Sequence, residues 1–414
     1  MLQGAEHPGL LYLALLLHDV GKSAVHKQGH HADASAEMAR RAAKRLRLDG
    51  PASDMLQTLV ENHLLMASTS QRRDLDDPAV IRNFARQIKT PETLNLLTLL
   101  TFADSQGTSD KLWNGFKNSL LWELHDRALA LLTGGQEFVR FSQIQRAARQ
   151  QEVRTLAPKS IPGEELDAHF AAMPARYFEI HTARDIAADL ELAHRFMSRQ
   201  ILDEERVLSP ATAWQDEPNR GYNVVRVCTW DRAGLFGKIA GSFSALGLNI
   251  LSAQIFTRND GVVLDNFFVN DAATGSLATR ETRDKFDALL DGVLNDKTAD
   301  LSALIARRIV AQPVYQAYAG ERMATQIHLD NEASEDRTLI EIVTEDRLGL
   351  LYAMSQALAG LALDTSTARI VTERGAAIDS FYVRELDGGK VVLPKRQAAI
   401  ENRLREAISG LDAK

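Results

Sequence analysis

The sequence predicts a multidomain protein in which an all-α domain precedes two copies of a small α+β unit. Three observations carry that prediction. Apolar residues recur at helical spacing over the first 135 residues or so, one loop motif occurs twice, and each copy lies between a β-like run and a helical one. A chain of 414 residues is too long for one ordinary core, so several domains are expected. Hydrophobic residues at 45% and charged residues at 25% are ordinary for a globular protein. The net charge of -7 argues against a broad basic surface for nucleic acid. Cys228 is the single cysteine, which excludes an internal disulfide and a cysteine-based zinc site. The apolar run Leu10–Leu17 is eight residues long and leads into His18-Asp19, so it reads as a core helix, not a leader or membrane span. A cytoplasmic protein with no membrane partner is the expectation.

The first domain, residues 1–135, reads as helical throughout. Leu11, Ala14, Leu15 and His18 share one helix face, as do Leu56, Leu59, Val60 and His63, and Leu97, Leu100, Thr101 and Asp104. Each stripe ends in a residue able to bind metal. His31 opens a further helix, with Ser35, Met38, Ala42 and Leu46 following on its face. The set His18-Asp19, His31, His63 and Asp104 offers imidazole nitrogens and carboxylate oxygens. These suit a divalent metal, Mg2+ or Mn2+, as one or two ions that activate water and polarise a phosphoryl oxygen. A histidine ending one apolar stripe is more often a hydrogen-bonded core residue; four such elements together favour a metal site. Asp74-Leu75-Asp76 reads as a turn and helix start.

Residues 136–220 read as a helical connector, with a helix over Ala183–Leu202 and linkers near Ala157–Glu165 and Ser209–Gly221. An internal repeat follows. Trp230-Asp231-Arg232-Ala233-Gly234-Leu235-Phe236 corresponds to Glu345-Asp346-Arg347-Leu348-Gly349-Leu350-Leu351 at an offset of 115. The strand-like runs Val262–Val269 and Ala376–Val383 correspond at an offset of 114, because the turn before Gly375 is one residue shorter than that before Gly261. Strand, helix, two strands, helix, strand (βαββαβ) is the ferredoxin-like order, placed at residues 221–313 and 336–414 with a linker at 314–335.

Leu15-Leu16-Leu17-His18-Asp19-Val20-Gly21-Lys22 resembles the signature of the HD phosphohydrolase superfamily. Several further stretches resemble one branch of it: His63-Leu64-Leu65-Met66, Gln71-Arg72-Arg73-Asp74, Asp77-Pro78, Thr101-Phe102-Ala103-Asp104, Leu112-Trp113-Asn114 and Asp330-Asn331-Glu332-Ala333-Ser334. That branch is the bifunctional uridylyltransferase/uridylyl-removing enzymes of the PII nitrogen-signalling protein, whose two C-terminal ACT domains the repeats resemble. The resemblance implies hydrolysis of a UMP–tyrosine phosphodiester on PII. It makes His18, Asp19 and Asp104 metal ligands, adds His31 and His63 at a second metal position, and brings Lys22 to the phosphate. Arg72 and Arg73 offer cations for phosphate or a partner protein, and equally for a salt bridge. Two departures stand out. The superfamily places a first histidine on a helix before the HD pair, whereas here only His7 precedes it, eleven residues away. No nucleotidyltransferase motif precedes it either, so the chain resembles the C-terminal portion of the bifunctional enzyme.

Glycine at the two Asp-Arg-x-Gly-Leu junctions lets backbone N–H groups approach a ligand at a helix N-terminus. Asp231, Gly234, Leu235 and Asn249 in the first repeat, and Asp346, Gly349, Leu350 and Asp364 in the second, are the candidate effector residues. The resemblance to ACT domains implies an amino acid lying between such a loop and a polar residue after the first helix, a place held by Asn249 in the first repeat and Asp364 in the second. The aspartates have a competing role as helix caps. The resemblance implies glutamine as effector, and pairing of ACT domains within the chain or in a homodimer. Two other functions stay open: a catalytically silent amino-acid-sensing regulator, and a guanosine tetraphosphate hydrolase, since that class also joins HD and ACT modules.

Overall fold

The structure is a computed structural model, described here for residues 6–23, 31–108, 115–134, 143–202, 208–232, 234–295, 301–311, 323–347, 349–373 and 376–411. Leu112-Trp113-Asn114 and the turn at Gly375 lie outside these residues. The chain forms two compact units, residues 1–140 and 141–414.

Among the described residues the first unit is helical: α1 (Pro8–Leu17), α2 (His31–Leu46), α3 (Gly50–Glu61), α4 (Leu65–Arg72), α5 (Pro78–Ile88), α6 (Pro91–Thr108) and α7 (Gly115–Leu132). Side-chain caps open three of these helices: Asp49 accepts from Ala52 N at α3, Asp77 from Ala79 N at α5 and Thr90 Oγ1 from Thr93 N at α6. In each, proline follows the cap inside the first turn, where its missing N–H costs nothing. Asp74 is buried and closes the preceding turn by accepting from Asp76 N. Arg127 of α7 holds that turn, donating to Leu75 O at 2.6 Å and to Asp76 Oδ1 at 2.7 Å. The stripes Leu56, Leu59, Val60 and Leu97, Leu100, Thr101 are buried as expected. The α2 stripe is rotated from the expected one: Ser35, Ala36, Ala39 and Ala43 are buried, while Leu46 is 57% exposed. Small residues line this face because α2 packs closely on α3 and on the short 3-10 turn Val20–Ser23.

The second unit opens with α8 (Gln143–Leu156), α9 (Gly163–Ala172), α10 (Ala175–Ile180) and α11 (Ala183–Leu202). The first repeat follows as β1 (Ala211–Glu217), β2 (Tyr222–Trp230), α12 (Leu235–Ala245), β3 (Leu248–Gln254), β4 (Val262–Asp271) and α13 (Arg280–Asn295). After α14 (Leu301–Ala311), the second repeat is β5 (Gln326–Asp330), β6 (Thr338–Glu345), α15 (Leu350–Gly360), β7 (Leu363–Glu373), β8 (Ala376–Glu385) and α16 (Pro394–Ser409). All eight strands form one sheet, in the order β1-β2-β4-β3-β7-β8-β6-β5. The repeats join through β3 and β7, antiparallel, with Ser252 opposite Arg369, Ala253 opposite Ala368 and Gln254 opposite Thr367. Both repeats share one core, which includes Phe243 and Phe267 of the first and Met354 and Phe381 of the second.

The α+β ferredoxin-like class holds, with one change of connectivity. The edge strand of each repeat comes before the βαββα core, as β1 and β5, not after its second helix. Ser209–Gly221 is therefore not a linker, and neither is the stretch of 314–335 that contains β5. Both strands are polar and partly exposed, as edge strands facing water are, which gives them the composition of linkers. The described helices within the expected helical connector, residues 136–220, also pack on the sheet. Helices α8 to α11 cover the outer face of β2 and β4, burying Cys228, Val262 and Leu264 against Tyr177, Phe178 and Phe196. A buried network fixes that contact: Arg226 donates to Asp189 at 3.0 Å and Asp185 at 2.8 Å, and Tyr177 Oη to Asp189 at 2.9 Å. No described helix is long and apolar enough to cross a membrane.

Candidate metal centre and effector clefts

Helix ends of the first unit bring the five metal candidates together. His18 sits at the C-terminal end of α1, where its N–H bonds Ala14 O and its Nδ1 lies 2.9 Å from Leu15 O. His63 follows α3 in the same way, with Nδ1 2.7 Å from Val60 O. A ring nitrogen facing a carbonyl must carry the proton, so in each neutral ring Nε2 keeps its lone pair and points into the site. The 3-10 turn after Asp19 closes against the start of α2: Gly21 N donates to Ser35 Oγ at 2.9 Å. A side chain at Gly21 would overlap the His31 carbonyl oxygen and lie 2.6 Å from Ser35 N, so only glycine fits where the HD turn meets α2.

Asp19 is the hub. Its Oδ2 lies 3.4 Å from His18 Nε2 and pairs with Lys22, while its Oδ1 lies 3.5 Å from His31 Nε2 and 3.7 Å from His63 Nε2. Asp104 of α6 approaches His18 Nε2 at 3.3 Å. Two overlapping ligand sets result, His18-Asp19-Asp104 and Asp19-His31-His63, with donor atoms within 4.8 Å of one another in each. His31 Nε2 and His63 Nε2 are buried with no hydrogen-bond partner. A buried polar atom left unsatisfied is costly, and two aimed at one carboxylate oxygen fit a bound cation. The hydrogen bond to Asp104 raises the His18 pKa and lowers that of Asp104, whereas burial lowers that of His63. A metal would take the place of the proton between His18 and Asp104.

The remaining candidates fall elsewhere. His7 bonds Glu92 at 2.7 Å on the surface and is not in either ligand set around Asp19. Lys22 is exposed and paired with Asp19. Arg72 and Arg73 end α4, half-buried, and both already have interaction partners. Asp330 accepts from Glu332 N and Ala333 N, and Lys390 donates to Asn331 O and Ser334 O, so that motif builds a turn of the second repeat.

In the second unit, Gly234 (φ 74°) and Gly349 (φ 83°) adopt the left-handed conformation and begin α12 and α15 without any side-chain cap. Neither Asp231 nor Asp346 acts as a cap; Asp346 accepts from Thr372 Oγ1 at 2.8 Å instead. Leu235 and Leu350 are core anchors. Each loop faces the other repeat. A cleft of about 690 Å3 joins Asp231, Gly234 and Asp265 to Asp364 and Arg384, and one of about 60 Å3 joins Asp346, Gly349 and Asp379 to Asn249. The reason is the β3–β7 pairing, which sets α12 beside α15. Side chains of α15 lie close against Gly237 and Gly241 of α12, where an added side chain would strike Gln356 and Tyr352. Ile305 of α14 packs over Gly349 at the smaller cleft, and that closure has no counterpart in the repeat pattern. Sequence reasoning missed Asp265 and Asp379, buried carboxyls whose pKa values burial raises well above the ordinary range.

An α-helical unit holding this His/Asp cluster, followed by paired α+β repeats, defines a chain with an HD domain and ACT-like domains. The HD domain family matches residues 2–105, the plant bHLH transcription factor ACT-like domain matches 221–285, and the ACR9-like, ACT-like domain matches 326–410. More particularly, the chain is a relative of the bifunctional uridylyltransferase/uridylyl-removing enzymes. It is 33% identical to that of Caulobacter vibrioides over 97% of this chain and 41% of the relative. The Gluconobacter oxydans enzyme is 33% identical over 96% of the chain and 40% of its own length, and that of Rhodospirillum rubrum 34% over 96% and 41%. The chain thus spans about two fifths of the length of the curated relatives it matches. No solved structure matches it.

Proposed function

We propose that the first unit is a metal-dependent phosphodiesterase that removes UMP from a tyrosine of the PII protein, and that glutamine bound in the second unit controls it. The observation that carries the hydrolytic part is the pair of buried, unpartnered nitrogens, His31 Nε2 and His63 Nε2, aimed at Asp19. His18, Asp19 and Asp104 would hold one divalent ion, Mg2+ or Mn2+, and Asp19, His31 and His63 a second. Such an ion lowers the pKa of bound water and withdraws charge from a phosphoryl oxygen. The protein's own part is to orient. Leu15 O and Val60 O fix the rings of His18 and His63, and Asp19 presents one oxygen to each ligand set. Lys22, exposed and paired with Asp19, would meet a phosphate oxygen. In the second unit, the cleft bounded by Asp231, Gly234 and Asp364 has room for an amino acid.

The test is UMP release from uridylylated PII, with and without a chelator and with and without glutamine. Chelator-sensitive release that Asp19→Asn abolishes is expected; release untouched by either overturns the reading. One observation favours the silent regulator as a second reading: His7, the histidine that precedes His18, bonds Glu92 at the surface and lies outside both ligand sets around Asp19. A protein that takes up no metal and cleaves no bis(p-nitrophenyl) phosphate, yet binds glutamine, would support it.

A further inference from the structure

We propose that Asp265, together with Asp231, binds the α-ammonium group of an amino acid held in the cleft between the two repeats; this rests on the effector reading above. Asp265 lies on β4, flanked in sequence by Leu264 and Asn266, and is only 1% exposed, yet it lines the cleft of about 690 Å3. Its one hydrogen bond among the described residues comes from Phe256 N at 3.2 Å, and no described lysine, arginine or histidine forms an ion pair with it. The nearby charge that acts on it is a second carboxylate, that of Asp231. Burying an acid beside another acid, without a cation, costs free energy that an apolar strand residue would avoid. The second repeat keeps the same arrangement. Asp379, on β8 at the corresponding position, is 2% exposed, its Oδ1 has no hydrogen-bond partner, and Asp346 is the charge beside it. A carboxyl retained at both places, each under a left-handed glycine, supplies a feature the packing does not require.

An amino acid complements this cleft at both ends. The uncapped first turn of α12, with Phe236 and Gly237, lines the cleft and favours a carboxylate. The two acids then face the ammonium group, and the ligand supplies the missing cation. Arg232 cannot fill that role, since it donates to Leu294 O, Leu208 O and Thr229 Oγ1. The cleft at Asp379 is the smaller of the two, with Ile305 packed over Gly349, so the cleft at Asp265 is the one proposed to take the ligand.

Isothermal titration calorimetry on the 414-residue chain tests the proposal, with L-glutamine and with glutaramate, which is glutamine lacking the α-ammonium group. The native chain should prefer glutamine by at least about tenfold. Asp265→Asn, which keeps the shape of a protonated carboxyl and should fold, is expected to weaken glutamine about 10- to 100-fold and to leave glutaramate unchanged. Asp379→Asn should leave glutamine binding as it is. Equal binding of the two ligands by the native chain overturns the proposal without any variant. So does an Asp265→Asn chain that loses both ligands alike or neither, or a loss carried by Asp379→Asn instead; in these cases the effector reading still stands. A native chain that binds neither glutamine nor any other standard amino acid removes both.

Discussion

Gly21→Ala tests whether the HD turn and α2 are held together as described. The added methyl would overlap the His31 carbonyl oxygen and sit 2.6 Å from Ser35 N and 2.8 Å from Ser35 Oγ. Two of those atoms are backbone, so no side-chain rotation relieves the clash. The start of α2 must retreat by roughly 1 Å to restore ordinary contact distances. Such overpacking costs about 1–3 kcal/mol, a fall in melting temperature of roughly 3–10 °C for a unit of this size. The same retreat carries His31 away from Asp19, now 3.5 Å distant. Metal ligands tolerate only about 0.2 Å of error, and a 1 Å misplacement costs on the order of a hundredfold in rate. Thermal melts, bound-metal content by mass spectrometry and hydrolysis of bis(p-nitrophenyl) phosphate report the three effects. A variant with native melting temperature, metal content and rate would falsify the claim that this contact positions His31.

Other outcomes follow from the same geometry. Asp19→Asn removes the residue common to both ligand sets and should lower metal affinity by more than about a hundredfold, read by competition with a chelating dye. Arg226→Met leaves Asp189 buried without its cation and should cost about 3–5 kcal/mol in urea unfolding of the second unit. Gly241→Val should destabilise that unit by about 1–3 kcal/mol in the same assay, because Tyr352 and Leu301 occupy the space of the new side chain. Asp379→Asn should stabilise it at neutral pH. Burial raises the native pKa of Asp379 above its unfolded value, so between the two the native state binds more protons and loses stability as pH rises. The variant's advantage should therefore shrink as pH falls toward 4, and an advantage that grows there would count against a buried neutral carboxyl.

The paired repeats were legible because their loop glycines answer a backbone requirement, φ near +80°, that sequence states directly. The metal cluster was legible because each histidine or aspartate closes an apolar stripe at a helix end. Strands β1 and β5 were not, since water-facing edge strands carry the polar composition of linkers. The contact of Gly21 with Ser35 was hidden because it depends on how α1 and α2 pack, across residues with no periodic relation. The exchange of Asn249 and Asp364 between loops was hidden for a related reason. A repeat displays which positions correspond, but not which copy each one faces.

The strand pairing between β3 and β7 has a consequence for any attempt to study the repeats separately. Severing the chain after α13 would strip β3 of its neighbour and leave a row of amide and carbonyl groups open along an apolar sheet. Isolated halves should then associate with copies of themselves, rebuilding the lost ladder between molecules. Within the intact chain, the same ladder ties the two repeats into a single continuous sheet.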